Sequence, residues 1–292
     1  MNATTQSSSS GKGTRYVAKL WLRGLAAQAQ EVQHLKALAW SEHVVKLVDL
    51  PKKPFKDNQF VAMEFIPGGT LDDFKREVGE EIPTAVLWRI FLCLVKACVA
   101  MAYPTKSTAS GPVEEKIYPD VEPDNLAHCN LHPRNVLFHG YDPNTREHEL
   151  SPIVKLVDFE HAQRLDKTES VDKQSVKDWD VPFGYHKKRD AGKRNPGIDH
   201  NILSIGRIMA HLIGPVQDRF LSVVECRMRL ENDHISPSGE LLDIIRRCLA
   251  VDPKNRPTLE ALLPRVRARV YHDKTKQFMD NYLQKSWTAQ GI

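Results

Sequence analysis

The chain has 292 residues, 41% of them apolar and 27% charged. At about 150 residues per domain that is one large domain or two lobes sharing a core, which excludes a short disulfide-stapled scaffold and gives no reason to expect disorder or a fibre. Lys plus Arg exceed Asp plus Glu by 41 − 37 = 4, too weak an excess to make nucleic acid or an anionic membrane the main partner.

Residues 1–14 are Ser/Thr/Gly-rich without hydrophobic periodicity and are expected to be a disordered tail. Three β-rich runs follow, RYVAKLW (15–21), HVVKLVDL (43–50) and QFVAMEFI (59–66). Between the first two, Val32, Leu35 and Leu38 recur on one side of a helix that can pack on a sheet. From about residue 70 the pattern turns helical, with Leu87, Ile90, Phe91, Leu94, Val95 and Cys98 forming a core-facing stripe. The longest apolar run, Leu87 to Tyr103, contains Arg89 and Lys96 and is expected to fall short of a membrane span. Residues 103–124, rich in Pro, Ser and acidic groups, read as a surface insertion.

NVLFHG (135–140) and IVKLVDF (153–159) read as a hairpin with an enlarged loop. IDHNILSIGRIMAHLI (198–213) is apolar nearly all round and expected to be buried, and LLDIIRRCLAVDP (241–253) is amphipathic with a Pro stop. Two charge runs, 114–124 at −5 + 1 = −4 and 187–194 at +5 − 1 = +4, are expected to be solvated loops. The five cysteines, Cys93, Cys98, Cys129, Cys226 and Cys248, never form a C-x-x-C pair, which argues against a disulfide framework or zinc ribbon and fits a reducing compartment. The opening MNATTQSSSSGKG lacks the apolar stretch of a secretory signal and the arginines of a mitochondrial presequence, so the expected location is cytoplasmic or nuclear.

Several short motifs follow one another in a telling order: Val17-Ala18-Lys19 in a strand, Glu31 in the next helix, Met63-Glu64-Phe65-Ile66, His128-Cys129-Asn130-Leu131-His132-Pro133-Arg134-Asn135, and Val157-Asp158-Phe159-Glu160. The set resembles the signature of eukaryotic-type protein kinases, over roughly residues 15–265. The resemblance implies an α+β, bilobal protein-kinase-like fold. Its parts would be a small mixed N-lobe (15–66), a hinge (67–72), a larger helical C-lobe (73–270) with the 103–124 insertion, and a C-terminal extension (271–292).

It also implies roles. Lys19 would hold the α- and β-phosphates of ATP, and Glu31, 12 residues on, would pair with it and fix its position. The Glu64 and Ile66 backbone would read an adenine edge, with the Met63 side chain lining the pocket. Asn135 and Asp158 would bind Mg²⁺ together with nucleotide. His128, Phe159 and Leu35 would form a buried stack joining the lobes. The plain alternative is a solvated surface Lys19 and Glu31.

The departures matter as much. Asn130 stands where these kinases carry the catalytic aspartate, and an amide can orient a hydroxyl but cannot take its proton, a loss of about 10²–10⁴ in rate. Glu160 replaces the glycine after D-F, which restricts the backbone there. Only Gly11 and Gly13 precede Lys19, so part of a nucleotide lid is expected to be missing. His132 reads as loop packing in preference to a phosphate contact or taking the proton, and a His128/His132 zinc pair is disfavoured because the segment ends in Pro133 and lacks the H-E-x-x-H glutamate.

Asp199 with Ser204-x-Gly206 resembles the helix start whose aspartate ties down the catalytic loop. Cys248-Leu249, Asp252-Pro253 and Arg256-Pro257-Thr258 resemble the closing motif of the large lobe. The A-P-E partner of that arginine is absent, so Arg256 needs another. These features together imply a pseudokinase: ATP binding with weak or absent phosphotransfer to Ser/Thr, and a protein partner or substrate. An active Ser/Thr protein kinase is one alternative. A small-molecule kinase of the aminoglycoside or choline type is another, since D-F-E resembles their metal motif, although they lack the R-P-T closing helices.

Overall fold

Alternating side chains in Tyr16–Leu20 (β1) and Phe60–Glu64 (β2) form an antiparallel pair with Val17 opposite Met63 and Lys19 opposite Val61. The computed structural model describes residues 15–20, 25–50, 60–79, 82–105, 113–149, 151–165, 194–231, 239–270 and 279–282. Helix α1 (Leu25–Ala37) follows β1 and buries Glu31 and Leu35 completely, with Leu38 just beyond its end. The expected strand 43–50 is not continuous. Val45 N–H donates to Leu156 O at 3.0 Å, whereas Val48 N–H donates to Ala62 O and Glu64 N–H to Lys46 O, both at 2.9 Å. This short run is shared between two sheets, so it makes bridges and no full ladder.

Thr70 caps α2 (Leu71–Val78): its Oγ1 accepts from Asp73 N at 3.1 Å while the Asp73 carboxylate accepts from Thr70 N, a reciprocal cap contributing about 1 kcal/mol. Gly79 ends the helix at φ +79°, a conformation in which a side chain is strained. Helix α3 (Thr84–Ala102) is buried on every side from Val86 to Ala102, beyond the single stripe expected. Its two cations both reach one residue: Arg89 Nη1 donates to Glu147 O at 3.4 Å and Lys96 pairs with the Glu147 carboxylate. At 19 residues and mean hydropathy 2.0 it is long and apolar enough to cross a membrane, contrary to the expectation, but 94% of that stretch is buried within the protein.

Val136–Phe138 (β4) and Val154–Leu156 (β5) form the expected hairpin, with Val136 opposite Leu156; Leu126–Ala127 (β3) pairs with Gln163–Arg164 (β6). Asn195 caps α4 (Pro196–Ile213), accepting from Ile198 N at 3.1 Å, and the helix is buried nearly throughout as expected. Helix α5 (Val223–Leu230) and α6 (Gly239–Cys248) pack against α4, and a Cβ on Gly206 would lie 2.7 Å from the Cys248 Cβ, so only glycine permits that approach. Helix α6 ends before the expected Pro253, because Asp252 caps a separate 3₁₀ turn over Pro253–Asn255. Helix α7 (Leu259–Val270) lies on α3.

The architecture is α+β, a helical layer around α3 with small antiparallel sheets. Residues 279–282 are helical and pack inward: the Tyr282 ring lies 4.7 Å from Phe74 and 5.7 Å from Phe138, and its hydroxyl donates to Gly68 O at 3.3 Å. The acidic run 114–124 is not simply a solvated loop. Glu115 is 2% exposed and its Oε1 accepts from Ser41 Oγ at 2.6 Å, Glu42 N at 2.8 Å and His43 N at 3.0 Å. The expected tail 1–14, with the expectation about a nucleotide lid before Lys19, and 187–193 of the basic run lie outside the described residues.

Candidate functional site

Strand β1 turns Lys19 toward α1, where its Nζ lies 3.0 Å from Glu31 Oε2. The same ammonium is 2.6 Å from Asp158 Oδ1 and 3.3 Å from Glu160 Oε2. Asp158 lies two residues past the end of β5 and adopts φ +65°, and Cys129, in the facing loop, adopts φ +57°. These are the only left-handed non-glycine residues among the described residues. Such conformations cost about 1–3 kcal/mol each and concentrate where a site demands them.

The loop beside Cys129 completes the cluster. Asn130 Nδ2 donates to Asp158 Oδ2 at 3.3 Å, and Asn135 Nδ2 donates to Asn130 O at 2.9 Å and to Asp158 Oδ2 at 3.4 Å. Asn135 is held by the 3₁₀ turn Pro133–Asn135, which His132 caps by accepting from Arg134 N at 3.3 Å. His132 therefore has a structural part, as its place in the loop implied. Beneath it, His128 Nε2 contacts Val157 O at 3.0 Å and its ring lies 4.6 Å from Phe159. His128, Phe159 and Leu35 are all fully buried.

The expected tie by Asp199 is corrected. The side chain that grips this loop is Asn201, whose Oδ1 accepts from His128 N at 3.0 Å and whose Nδ2 donates to Leu126 O at 2.9 Å. An amide both donates and accepts, as a strand-like backbone requires, while a carboxylate can only accept. Asp199 instead pairs with Arg194 at 2.7 Å, and Asn195 is the cap. Arg256 finds carbonyls as its partners, donating to Ala250 O, Asp199 O and Val251 O at 2.9–3.3 Å.

Three carboxylates thus surround one ammonium. Burial lowers the pKa of Lys19, but the charges of Asp158 and Glu31 outweigh it and hold the amine protonated. Burial raises Asp158, and Lys19 more than offsets that, so its carboxyl stays below the usual range. Glu31 sits deeper, and there burial wins over Lys19 and lifts its pKa. Asp158 and the Asn135 amide are hard oxygen donors suited to a magnesium ion shared with phosphate.

Sequence reasoning did not find the Glu160 contact, although its place two residues after Asp158 was a usable signal. It also missed the side-chain role of Glu64, whose Oε1 accepts from Lys155 Nζ at 2.6 Å and from Lys46 N at 2.9 Å. Glu64 is the last residue of β2, Met63 is 8% and Ile66 6% exposed, and all three lie in or just beyond the strand that pairs with the one carrying Lys19. Surface clefts of about 350 and 610 Å³ lie elsewhere, the first around Glu42 and Glu147 and the second around Arg247 and Arg265. The chain matches no model of a known protein family. A comparison with curated proteins gives no match either.

Proposed function

We propose that the protein is a protein-kinase-like, bilobal ATP-binding domain with weak or absent phosphotransfer, a pseudokinase that acts by binding a protein partner. The observation that carries this is the Lys19 ammonium, held between Glu31 and Asp158 at 3.0 and 2.6 Å, with both Asn130 and Asn135 donating to Asp158. A positioned lysine beside a metal-binding carboxylate is what phosphate recognition requires, because charge neutralisation and positioning do most of the work in phosphoryl transfer. On this reading Lys19 meets the phosphates, Asp158 and Asn135 hold Mg²⁺, and the segment from Met63 to Ile66 meets the base.

Asn130 limits the chemistry. Its amide sits on the metal-side carboxylate and has no basicity to accept a proton from an attacking hydroxyl. One observation favours the small-molecule-kinase alternative: the Glu160 carboxylate joins the cluster 3.3 Å from Lys19.

The test is thermal melting with ATP, with and without Mg²⁺, beside radiolabel transfer to protein, aminoglycoside and choline acceptors. Expected are a melting shift equivalent to about 2.7 kcal/mol at 100 times the dissociation constant and little or no transfer. Rapid transfer to a small alcohol would replace the pseudokinase reading with the alternative, and no shift with any nucleotide would remove both.

A further inference from the structure

Three distant parts of the chain meet in a second buried cluster. His43 comes from the segment after α1, Cys93 from α3 and His148 from the long β4–β5 connection, and all three are buried. Their ligand atoms lie within 4.8 Å of one another. His43 Nε2 faces His148 Nε2 at 3.2 Å, and Glu42 Oε2 is 3.7 Å from that same His148 nitrogen.

Two bare nitrogen lone pairs repel at such a distance, so something cationic or a proton must lie between them. With zinc–nitrogen bonds of about 2.0–2.1 Å, a 3.2 Å nitrogen separation subtends about 100–106° at the metal, close to the tetrahedral angle. On its far side His43 Nδ1 contacts Glu115 Oε1 at 3.0 Å, and Glu115 Oε2 is buried without a hydrogen-bond partner. A carboxylate behind a ligating imidazole fixes which nitrogen faces the metal.

We propose that His43 Nε2, His148 Nε2 and the Cys93 thiolate hold a zinc-class divalent cation, with Glu115 as the outer partner of His43 and the Glu42 carboxylate, 3.7 Å from His148 Nε2, turning inward to fill the fourth, tetrahedral position. Two neutral imidazoles, one thiolate and one carboxylate balance a divalent ion, and the mixed sulfur and nitrogen donors select zinc over magnesium or calcium. Glu42 also lines the 350 Å³ surface cleft, together with the carboxylates of Glu114, Asp142 and Glu147 and the cations Lys96 and Arg146. The ion would staple α3 and the hairpin loop to the segment that follows α1. In its absence the two imidazoles share a proton, and metal binding displaces that proton and the Cys93 thiol proton to solvent, leaving two neutral imidazoles and a thiolate.

The test uses the full chain, stripped with a chelator and titrated with Zn²⁺ and with Co²⁺ as a spectroscopic probe. Expected are one Co²⁺ per chain, intense tetrahedral ligand-field bands and a thiolate charge-transfer band that Cys93→Ser removes. Glu115→Gln should weaken zinc affinity by about 10–100-fold. His148→Gln, in which a glutamine oxygen still accepts from His43, should keep the fold and lose the metal, so it decides the matter if Cys93→Ser does not fold. A pale octahedral spectrum, a charge-transfer band that survives Cys93→Ser, or equal zinc affinity in parent and His148→Gln overturns the proposal and leaves a hydrogen-bonded histidine pair.

Discussion

Asn130 Nδ2 donates to Asp158 Oδ2 at 3.3 Å, so the amide meets part of that buried carboxylate's demand for donors. Asn130→Asp turns this contact into two carboxylates side by side. Like charges so close cannot both ionise without cost, so the nucleotide-free variant should melt below the parent and regain the difference with ATP and Mg²⁺. On the proposed reading a carboxylate at position 130 supplies the general base, and transfer should rise by a factor toward the 10²–10⁴ range. A variant as stable as the parent without metal would show that the contact contributes nothing.

Lys19→Ala removes the ammonium that pairs at 3.0 Å with the fully buried carboxylate of Glu31. Breaking a buried pair in this way costs up to about 3–5 kcal/mol, because the remaining charge has no counterion. The double variant Lys19→Ala/Glu31→Gln should recover much of that loss. Neither should show a melting shift with ATP, and a shift retained in the double variant would place nucleotide recognition elsewhere.

Magnesium keeps much of its water and is usually held by one or two protein oxygens plus substrate phosphates. The parent should therefore show no Mg²⁺ binding alone and tighter ATP binding with Mg²⁺. Asp158→Asn should erase that Mg²⁺-dependent gain and leave adenosine binding unchanged. Calorimetry with ATP, ATP plus Mg²⁺, and adenosine separates these, and if Mg²⁺ never tightens ATP binding in the parent, Asp158 is a structural carboxylate.

His211, on α4, is 2% exposed, with Nε2 3.8 Å from Asp72 Oδ1 and its ring 5.8 Å from Phe220. Burial depresses its pKa to about 4, and the Asp72 carboxylate opposes this only in part. The unfolded chain takes up a proton near pH 6.5 that the folded protein refuses until about pH 4, so stability falls as pH drops through that window. The contribution is about 2–3 kcal/mol. His211→Gln should lose less stability than the parent between pH 6.5 and 4.5, measured by urea melts, and a parent-to-variant difference independent of pH would exclude His211 as a source.

Short-range pattern carried much of this molecule. The hairpin around Val136 and Leu156, the buried α4 and the helix bearing Leu35 all follow from spacing that local periodicity encodes. The residues that gather at Lys19 were also named by motif order. What periodicity cannot encode is which of two nearby polar groups a distant backbone selects. Asn201, not Asp199, fits Leu126 and His128 because that strand edge offers one acceptor and one donor. Likewise nothing in a run of acidic residues marks Glu115 as the one drawn inside, since its partners Ser41 and His43 lie more than 70 residues away. The run at 43–50 looked like a strand because its apolar residues suit one, and only the tertiary arrangement divides it between two sheets.

The hydrogen bond from Tyr282 to Gly68 spans 214 residues, and the same ring covers Phe74 and Phe138. During synthesis at about 5–20 residues per second, Gly68 and Phe74 leave the ribosome about 10–40 s before Tyr282 is made. For that interval the nascent chain carries an uncovered aromatic surface beside the turn that follows β2. The protein therefore reaches its finished packing only once Tyr282 has emerged, and a polypeptide stalled before Tyr282 leaves the Phe74 and Phe138 rings without that cover.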